Sequence, residues 1–212
     1  MDALLTLPQF AAFLAAAALI TLAPGPDNLM VLSLGMARGR KSGVAFGLGC
    51  ALGCVNHTAL AALGISALIA ASPWAFGALK IGGGLYLVWL GIQAIRNARG
   101  SGSQQAVDTA NESIGKLFVK GLVANAINPK VILFFLAFLP QFVDAARGHV
   151  AWQIAQLGIV FTLQGALLFA AIGWFAGSVG ERLAQRPAIG AWLDRVAGGI
   201  FVALGLRLLA VR

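Results

Sequence analysis

Apolar residues in this chain come in long runs separated by short polar stretches. Six such runs cover approximately residues 8–35, 43–71, 74–95, 117–142, 150–179 and 189–211. Each exceeds the ~18 residues at which an apolar stretch is read as a candidate membrane-spanning helix. The runs are too long for strands and do not alternate with period two. The pattern therefore predicts an all-α integral membrane protein with six transmembrane helices. The stretch 96–116, rich in Gly, Ser and Gln, is the one linker-like segment. It divides the chain into a first three-helix unit, 1–95, and a second, 117–212, with a polar cytoplasmic linker between them.

Two of the runs are interrupted. The first contains Ala23-Pro24-Gly25-Pro26-Asp27-Asn28, and the fourth contains Asn128-Pro129-Lys130. The third and sixth share another feature: glycines seven residues apart, Gly84 and Gly91 against Gly198 and Gly205, with an aromatic between them. The two halves thus read as a repeat. Three spans per half is an odd number, so the second unit must be inverted relative to the first. Inverted repeats with broken helices in matching places point to the binding site of a secondary transporter.

Composition narrows the class further. The chain has 212 residues, 59% hydrophobic and 10% charged, with mean hydropathy +0.87. A soluble domain averages ~25% charged residues. So little polar surface excludes an ordinary cytosolic enzyme, and so much apolar content excludes disorder. The net charge of +8 lies in clusters between apolar runs, which marks topology and not a nucleic-acid partner. Arg38, Arg40, Lys41, Arg96, Arg99, Lys116, Lys120, Arg182, Arg186 and Arg195 fall on one side of a six-span chain. That side is predicted to be cytoplasmic, with both termini outside. No Lys or Arg precedes Arg38, so the first run reads as a retained span and not as a signal peptide.

The interruptions carry the candidate chemistry. Pro24 and Pro26 each remove a backbone donor and clash with the turn before, so one helix cannot run through. Gly25 and Pro26 suit the cap and first position of a new half-helix, as do Asn128 and Pro129. The positive end of each half-helix then points inward, where a carboxylate fits. Asp27 and Asn28 follow the first break. An ionised Asp27 in a membrane costs at least ~2.5–3.5 kcal/mol, which favours a cavity or a cationic partner. Asp27 can hold an ammonium and exchange protons, or only cap its own half-helix dipole. Lys130 is too deep to snorkel; it can pair with Asp27 or hold a carboxylate. A proline kink with no ligand would leave the same signature.

Other polar residues are more ambiguous. Cys50, Cys54 and His57 fall within about a 60° arc of one helix face, from 3.6 residues per turn. Three ligands from one helix make a poor metal cage, and His57 equally suits a polar path or a hydrogen bond between helices. Gln164 is a further buried polar candidate. Lys80, Asp194 and Arg195 read as interfacial. The glycines of the second and fifth runs, Gly43, Gly47, Gly49 and Gly53 against Gly158, Gly165 and Gly173, permit close helix contact. No nucleophile, phosphate-loop or metalloprotease motif is present, and no cofactor is implied.

Leu22-Ala23-Pro24-Gly25-Pro26-Asp27-Asn28, followed by Ala37-Arg38-Gly39-Arg40-Lys41-Ser42-Gly43, resembles the opening of the LysE/RhtB family of amino-acid exporters. Asn128-Pro129-Lys130 and Phe134 to Phe142 resemble its second signature, and the likeness extends over nearly the whole chain. The resemblance implies a multi-pass protein of the bacterial inner membrane that exports amino acids or close derivatives, driven by the proton motive force. Its partners would be a small amino-acid substrate, protons and the lipid bilayer. A homo-oligomer is compatible with this and is left open. The wider superfamily includes metal exporters, so the Cys50, Cys54 and His57 face keeps a soft-metal-ion exporter as the alternative. Substrate-binding positions carried over are Pro24, Gly25, Pro26, Asp27, Asn28, Asn128, Pro129 and Lys130, with His57 added on its own chemistry.

Overall fold

The computed structural model describes residues 5–23, 25–96, 98, 112–178 and 187–210. The expectations for Pro24, for Arg99, Arg182 and Arg186, and for most of the polar linker lie outside them. All regular structure among the described residues is helical. The elements are α1 (Leu7–Leu22), α2 (Pro26–Arg38), α3 (Arg40–Ala71), α4 (Pro73–Arg96), α5 (Ile114–Ala126), α6 (Pro129–Leu133), α7 (Val150–Trp174) and α8 (Pro187–Ala210).

Both predicted interruptions are present. α1 and α2 meet at 58°, and α5 meets the segment Pro129–Phe142 at 49°. Among the described residues, Arg40–Gly64, Gly77–Arg96 and Val150–Trp174 are each long and apolar enough to cross a membrane, and the bent pairs raise the number of candidate spans to five. α8 stands outside that set; it carries Asp194, Arg195 and Arg207. The chain is therefore a helical integral membrane protein, with three to five candidate spans among its described residues.

After α6 the helix first widens and then tightens. Phe134–Phe138 form a π turn and Leu139–Phe142 a 3-10 turn. Pro140 supplies the reason. It has no N–H for the Leu136 carbonyl, and its ring crowds the same turn. The ladder must change pitch there, as helices do at insertions and prolines.

α3 is the centre of the bundle. α2, α5 and α7 pack around it, and small residues set the spacing. Gly43 lies against Gly173, Gly47 against Phe169, Ala51 against Gly165 and Thr58 against Gly158, so α3 and α7 run antiparallel. Gly49 and Gly53 meet Phe118, Leu122 and Asn125, so α3 and α5 run parallel. The glycines expected to bring helices close do so. A second pair, α4 with α8, packs antiparallel along Gly84–Gly205 and Gly91–Gly198, and Gly83 against Ala137 joins it to the π turn.

Charge separates by end. Arg38 donates to the Glu112 carbonyl at 2.6 Å, Lys120 pairs with the Glu112 carboxylate, and Arg40 stacks on Trp174 at 4.6 Å. These groups share one end of the bundle. At the other end, Gln9 donates to the Phe142 carbonyl at 3.2 Å and accepts from Arg147 at 3.2 Å.

The glycine seam gives a direct test. A Cβ at Gly91 or Gly198 would run into the backbone of the partner helix, whereas one at Gly82 or Gly199 would meet nothing within 4 Å. Gly91→Val and Gly198→Val are expected to destabilise by about 1–3 kcal/mol or more, the range for overpacking. Gly82→Ala and Gly199→Ala should stay within about 0.5 kcal/mol of the parent. Thermal unfolding in detergent micelles measures both.

Candidate functional site

The two breaks face each other inside the bundle. The last turn of α1 ends at Leu22, and Gly25 then starts α2 with no side-chain cap, because glycine brings none. The end of α1 leaves carbonyls without helical donors. Lys130 supplies the donor. Its Nζ reaches across from α6 to the carbonyls of Ile20, at 3.2 Å, and Ala23, at 3.1 Å. The lysine is 8% exposed and sits where its charge complements the negative end of the α1 dipole. Gly25 makes the approach possible: a Cβ there would lie 3.0 Å from Nζ.

The second break is built differently. Asn128 caps α6, its Oδ1 accepting from the Lys130 amide at 3.0 Å. That amide is therefore occupied. The expectation of open amides after both prolines is corrected on this side: the side chain of Asn128 fills the place a ligand would take. Pro26 and Pro129 open their half-helices at the first position, and both are exposed.

Asp27 and Lys130 line the same cavity, together with Thr21, Cys54, Asn125 and Phe134. No ion pair within 4 Å joins them; among the described residues that bond is seen at Lys120 and Glu112. Asp27 instead accepts from the Asn125 Nδ2 at 2.9 Å. The third Lys130 proton and the second Asp27 oxygen are thus separate groups of opposite charge in one space. The cavity is small, about 10 Å3, which is the room for about one water molecule. This conformation is closed.

Asn125 is the residue that sequence reasoning missed. It is 1% exposed and ties three elements together. Its Nδ2 binds Asp27, its Oδ1 accepts from the Cys54 thiol at 3.4 Å, and its carbonyl accepts from His57 Nε2 at 3.0 Å and from the Asn128 amide at 2.9 Å. The available signal was a polar side chain in the apolar run just before Asn128-Pro129. His57 therefore stands behind Asn125 and does not line the cavity; its ring lies 5.7 Å from Phe135. Cys50 and Cys54 are buried free thiols. Among the described residues no group of three or more His, Cys, Asp or Glu side chains could hold a metal ion.

Thr21 closes the other wall. Asn28 donates to its carbonyl at 2.8 Å, and Gln164 donates to its hydroxyl at 2.8 Å. The remaining amide oxygens, Asn28 Oδ1 and Gln164 Oε1, are buried without a donor. Buried acceptors of this kind call for an explanation such as a water or a ligand. Asp27, Lys130 and Thr21 line the cavity, and the two unsatisfied amide oxygens belong to the residues that bond Thr21 from behind it.

The two facing breaks place a carboxylate and an ammonium on one cavity inside an apolar helical bundle. Comparison with known proteins identifies the chain as a transporter and not an enzyme: residues 18–211 match the LysE type translocator model, and the chain belongs to that family. It is a multi-pass protein of the bacterial inner membrane. It is 34% identical to the threonine efflux protein of Escherichia coli (strain K12) over 194 residues, covering 90% of this chain and 92% of that one. It is 28% identical to the homoserine/homoserine lactone efflux protein of Salmonella typhimurium over 208 residues, covering 98% and 99%. A third relative, the leucine efflux protein of Salmonella choleraesuis, is 33% identical over 137 residues, covering 65% and 64%. No solved structure matches.

Asn125→Ala strips the donor from a buried carboxylate, and is expected to destabilise by about 1–3 kcal/mol, the cost of an orphaned buried acceptor. Gly25→Val should displace the Lys130 ammonium and have an effect of similar size. Chemical unfolding followed by tryptophan fluorescence in micelles reads both, with exposed Gly115→Ala, whose Cβ meets nothing within 4 Å, as the control.

Proposed function

We propose that this chain exports a small zwitterionic amino acid from the bacterial cytoplasm in exchange for protons. The observation that carries the reading is the single cavity at the facing breaks, lined by Asp27 and Lys130 without an ion pair between them. An amino acid presents the complementary pair. Its carboxylate takes the free Lys130 proton and its ammonium takes the free Asp27 oxygen. The uncapped start of α2 adds backbone N–H groups on the carboxylate side. Gly25, Pro26 and Asn28 shape that start; Pro24 belongs to the same turn of sequence. Asn128 and Pro129 place Lys130. His57 acts through Asn125. The names of the relatives, threonine, homoserine and leucine efflux proteins, support an amino acid as the cargo.

Proton coupling follows from the same groups. Substrate ammonium and proton are alternative cations for the acidic side of this cavity, and their exchange there is the coupling an antiporter needs. The architecture proposed is six spans in two inverted units, 1–95 and 117–212, joined by the cytoplasmic linker 96–116, with α8 as the sixth span. The glycine seam supports this reading. Gly84 meets Gly205 while Gly91 meets Gly198, so each glycine touches the counterpart of the other, as a pseudo-twofold axis requires. The basic end, with Arg38, Arg40 and Lys120, is taken as cytoplasmic. Alternating access is then rocking of one unit against the other, which opens a cavity that is closed here.

Export of labelled amino acids from loaded vesicles, with and without a pH gradient, tests the proposal. Efflux should rise when the outside is acidic and vanish with Lys130→Met. Asp27→Asn should retain substrate exchange but lose the response to the gradient. An absence of substrate-dependent efflux under every condition would remove the reading. Gln164→Leu removes the donor to the Thr21 hydroxyl that lines the cavity, and should lower efflux of threonine relative to its isostere valine, by about tenfold for each ~1.4 kcal/mol lost. The measurement is competition between the two in the same vesicles.

A further inference from the structure

A second, larger cavity lies at the end of the bundle opposite the Arg38, Arg40 and Lys120 cluster. Its volume is about 470 Å3, within the range of ~300–1,000 Å3 typical of small-molecule sites. Its polar walls are Gln9 from α1, Gln141 and Asp144 from the chain after the π turn, and Arg207 from α8. Its floor is Phe138 and Phe142. We propose that this vestibule is a release subsite for a zwitterion, in which Asp144 holds the ammonium group and Arg207 the carboxylate. The proposal rests on the export reading above and deepens it by adding a second station on the same route.

The walls are built and held. Gln153, buried at 1% exposure, clasps the Asp144 backbone from both sides: its Oε1 accepts from the Asp144 amide at 2.9 Å, and its Nε2 donates to the Asp144 carbonyl at 2.9 Å. The same Nε2 donates to the Gly148 carbonyl at 2.8 Å. Asp144 Oδ1 accepts from the Ala146 amide at 3.0 Å, which fixes the carboxylate and leaves Oδ2 for a ligand. Gln9 is fixed by its bonds to Phe142 and Arg147. No ion pair within 4 Å joins Asp144 to Arg207, although both line one space. Two opposite charges kept apart across a cavity match a molecule carrying both.

The floor connects the vestibule to the inner cavity. Phe134 lines the inner cavity and Phe138 the outer one, with ring centroids 5.4 Å apart. Phe13 packs on Phe134 at 6.0 Å and on Phe142 at 5.2 Å, completing one layer of rings. All these rings but Phe13 sit on the π turn or just after it, where the helical ladder is already interrupted. A solute leaving Lys130 and Asp27 passes one aromatic layer and meets Asp144 and Arg207 next.

The test places a reporter thiol in the vestibule of the full chain in cells. Val143→Cys lines it, and native Cys50 and Cys54 are buried. A membrane-impermeant maleimide added outside should label the new thiol. At saturating external threonine the labelling rate should fall about tenfold, the free fraction left at ten times Kd. N-acetylthreonine, without the ammonium, and threonine amide, without the carboxylate, should protect far less. Asp144→Asn or Arg207→Gln should abolish protection, read for each variant as the ratio of its own labelling rates with and without threonine, while its thermal unfolding in micelles, which reports folding, stays close to the parent's. The proposal is overturned if threonine gives no protection, or if both variants stay protected. It is equally overturned if labelling tracks the lipid headgroup and ignores threonine, which would make the occupant a phospholipid, or if labelling requires permeabilised cells, which would put the vestibule on the cytoplasmic face. Efflux from vesicles, measured separately, decides the export reading; protection of the thiol decides the vestibule.

Discussion

The structure depends on one buried ammonium group. Lys130 leaves its own half-helix and satisfies the carbonyl end of another, 107 residues earlier in the chain at Ala23 and 110 earlier at Ile20. Removing a charge of this kind from water costs several kcal/mol even after relaxation. Two carbonyls at the negative end of a helix and a carboxylate lining the same cavity offset that cost. The bonds also solve the problem the proline break creates, since a helix end in a bilayer must satisfy its backbone within the protein. One ammonium proton stays uncommitted, and that proton is what a substrate carboxylate would meet.

Packing around this contact follows from residue size. Where α3 meets α7 and where α4 meets α8, glycine removes the side chain and lets backbones approach. In lipid there is little hydrophobic gain from bringing helices together, so close contact itself must stabilise the bundle. The aromatic residues are concentrated elsewhere, at the π turn, and they fill the space between the two cavities. Small residues thus set a rigid frame, while large flat rings occupy the segment whose ladder is already broken.

The two breaks resemble each other in sequence and differ in chemistry. At Gly25 no side chain caps the new half-helix, so its first amides have no side-chain acceptor. At Asn128 a side chain takes that role. The two breaks are therefore asymmetric: one leaves its half-helix without a side-chain cap, and the other carries the lysine that reaches across to α1. Asn125 holds the pair in register by binding Asp27 with its side chain and His57 with its carbonyl.

Much of this was legible in the chain alone. Apolar runs longer than a bilayer core, prolines inside two of them, and glycines at matching spacing fixed the helices, the breaks and the seams, because these follow from local rules that hold wherever the helix ends up. Asp27 and Lys130 stood out as charges in apolar runs, and Gln164 as a buried amide. The partners did not. Nothing along the chain says that Lys130 would bind the end of α1 and not Asp27, that Asn125 would be the hub, or that Asn128 would close its own break. Nor does it place Asp144 and Arg207 across one vestibule. Those outcomes turn on which faces meet when helices far apart in the chain pack, and a few ångströms decide between an ion pair and two separate hydrogen bonds. Composition and periodicity determine the elements; the choice of partner for each buried charge belongs to the tertiary structure.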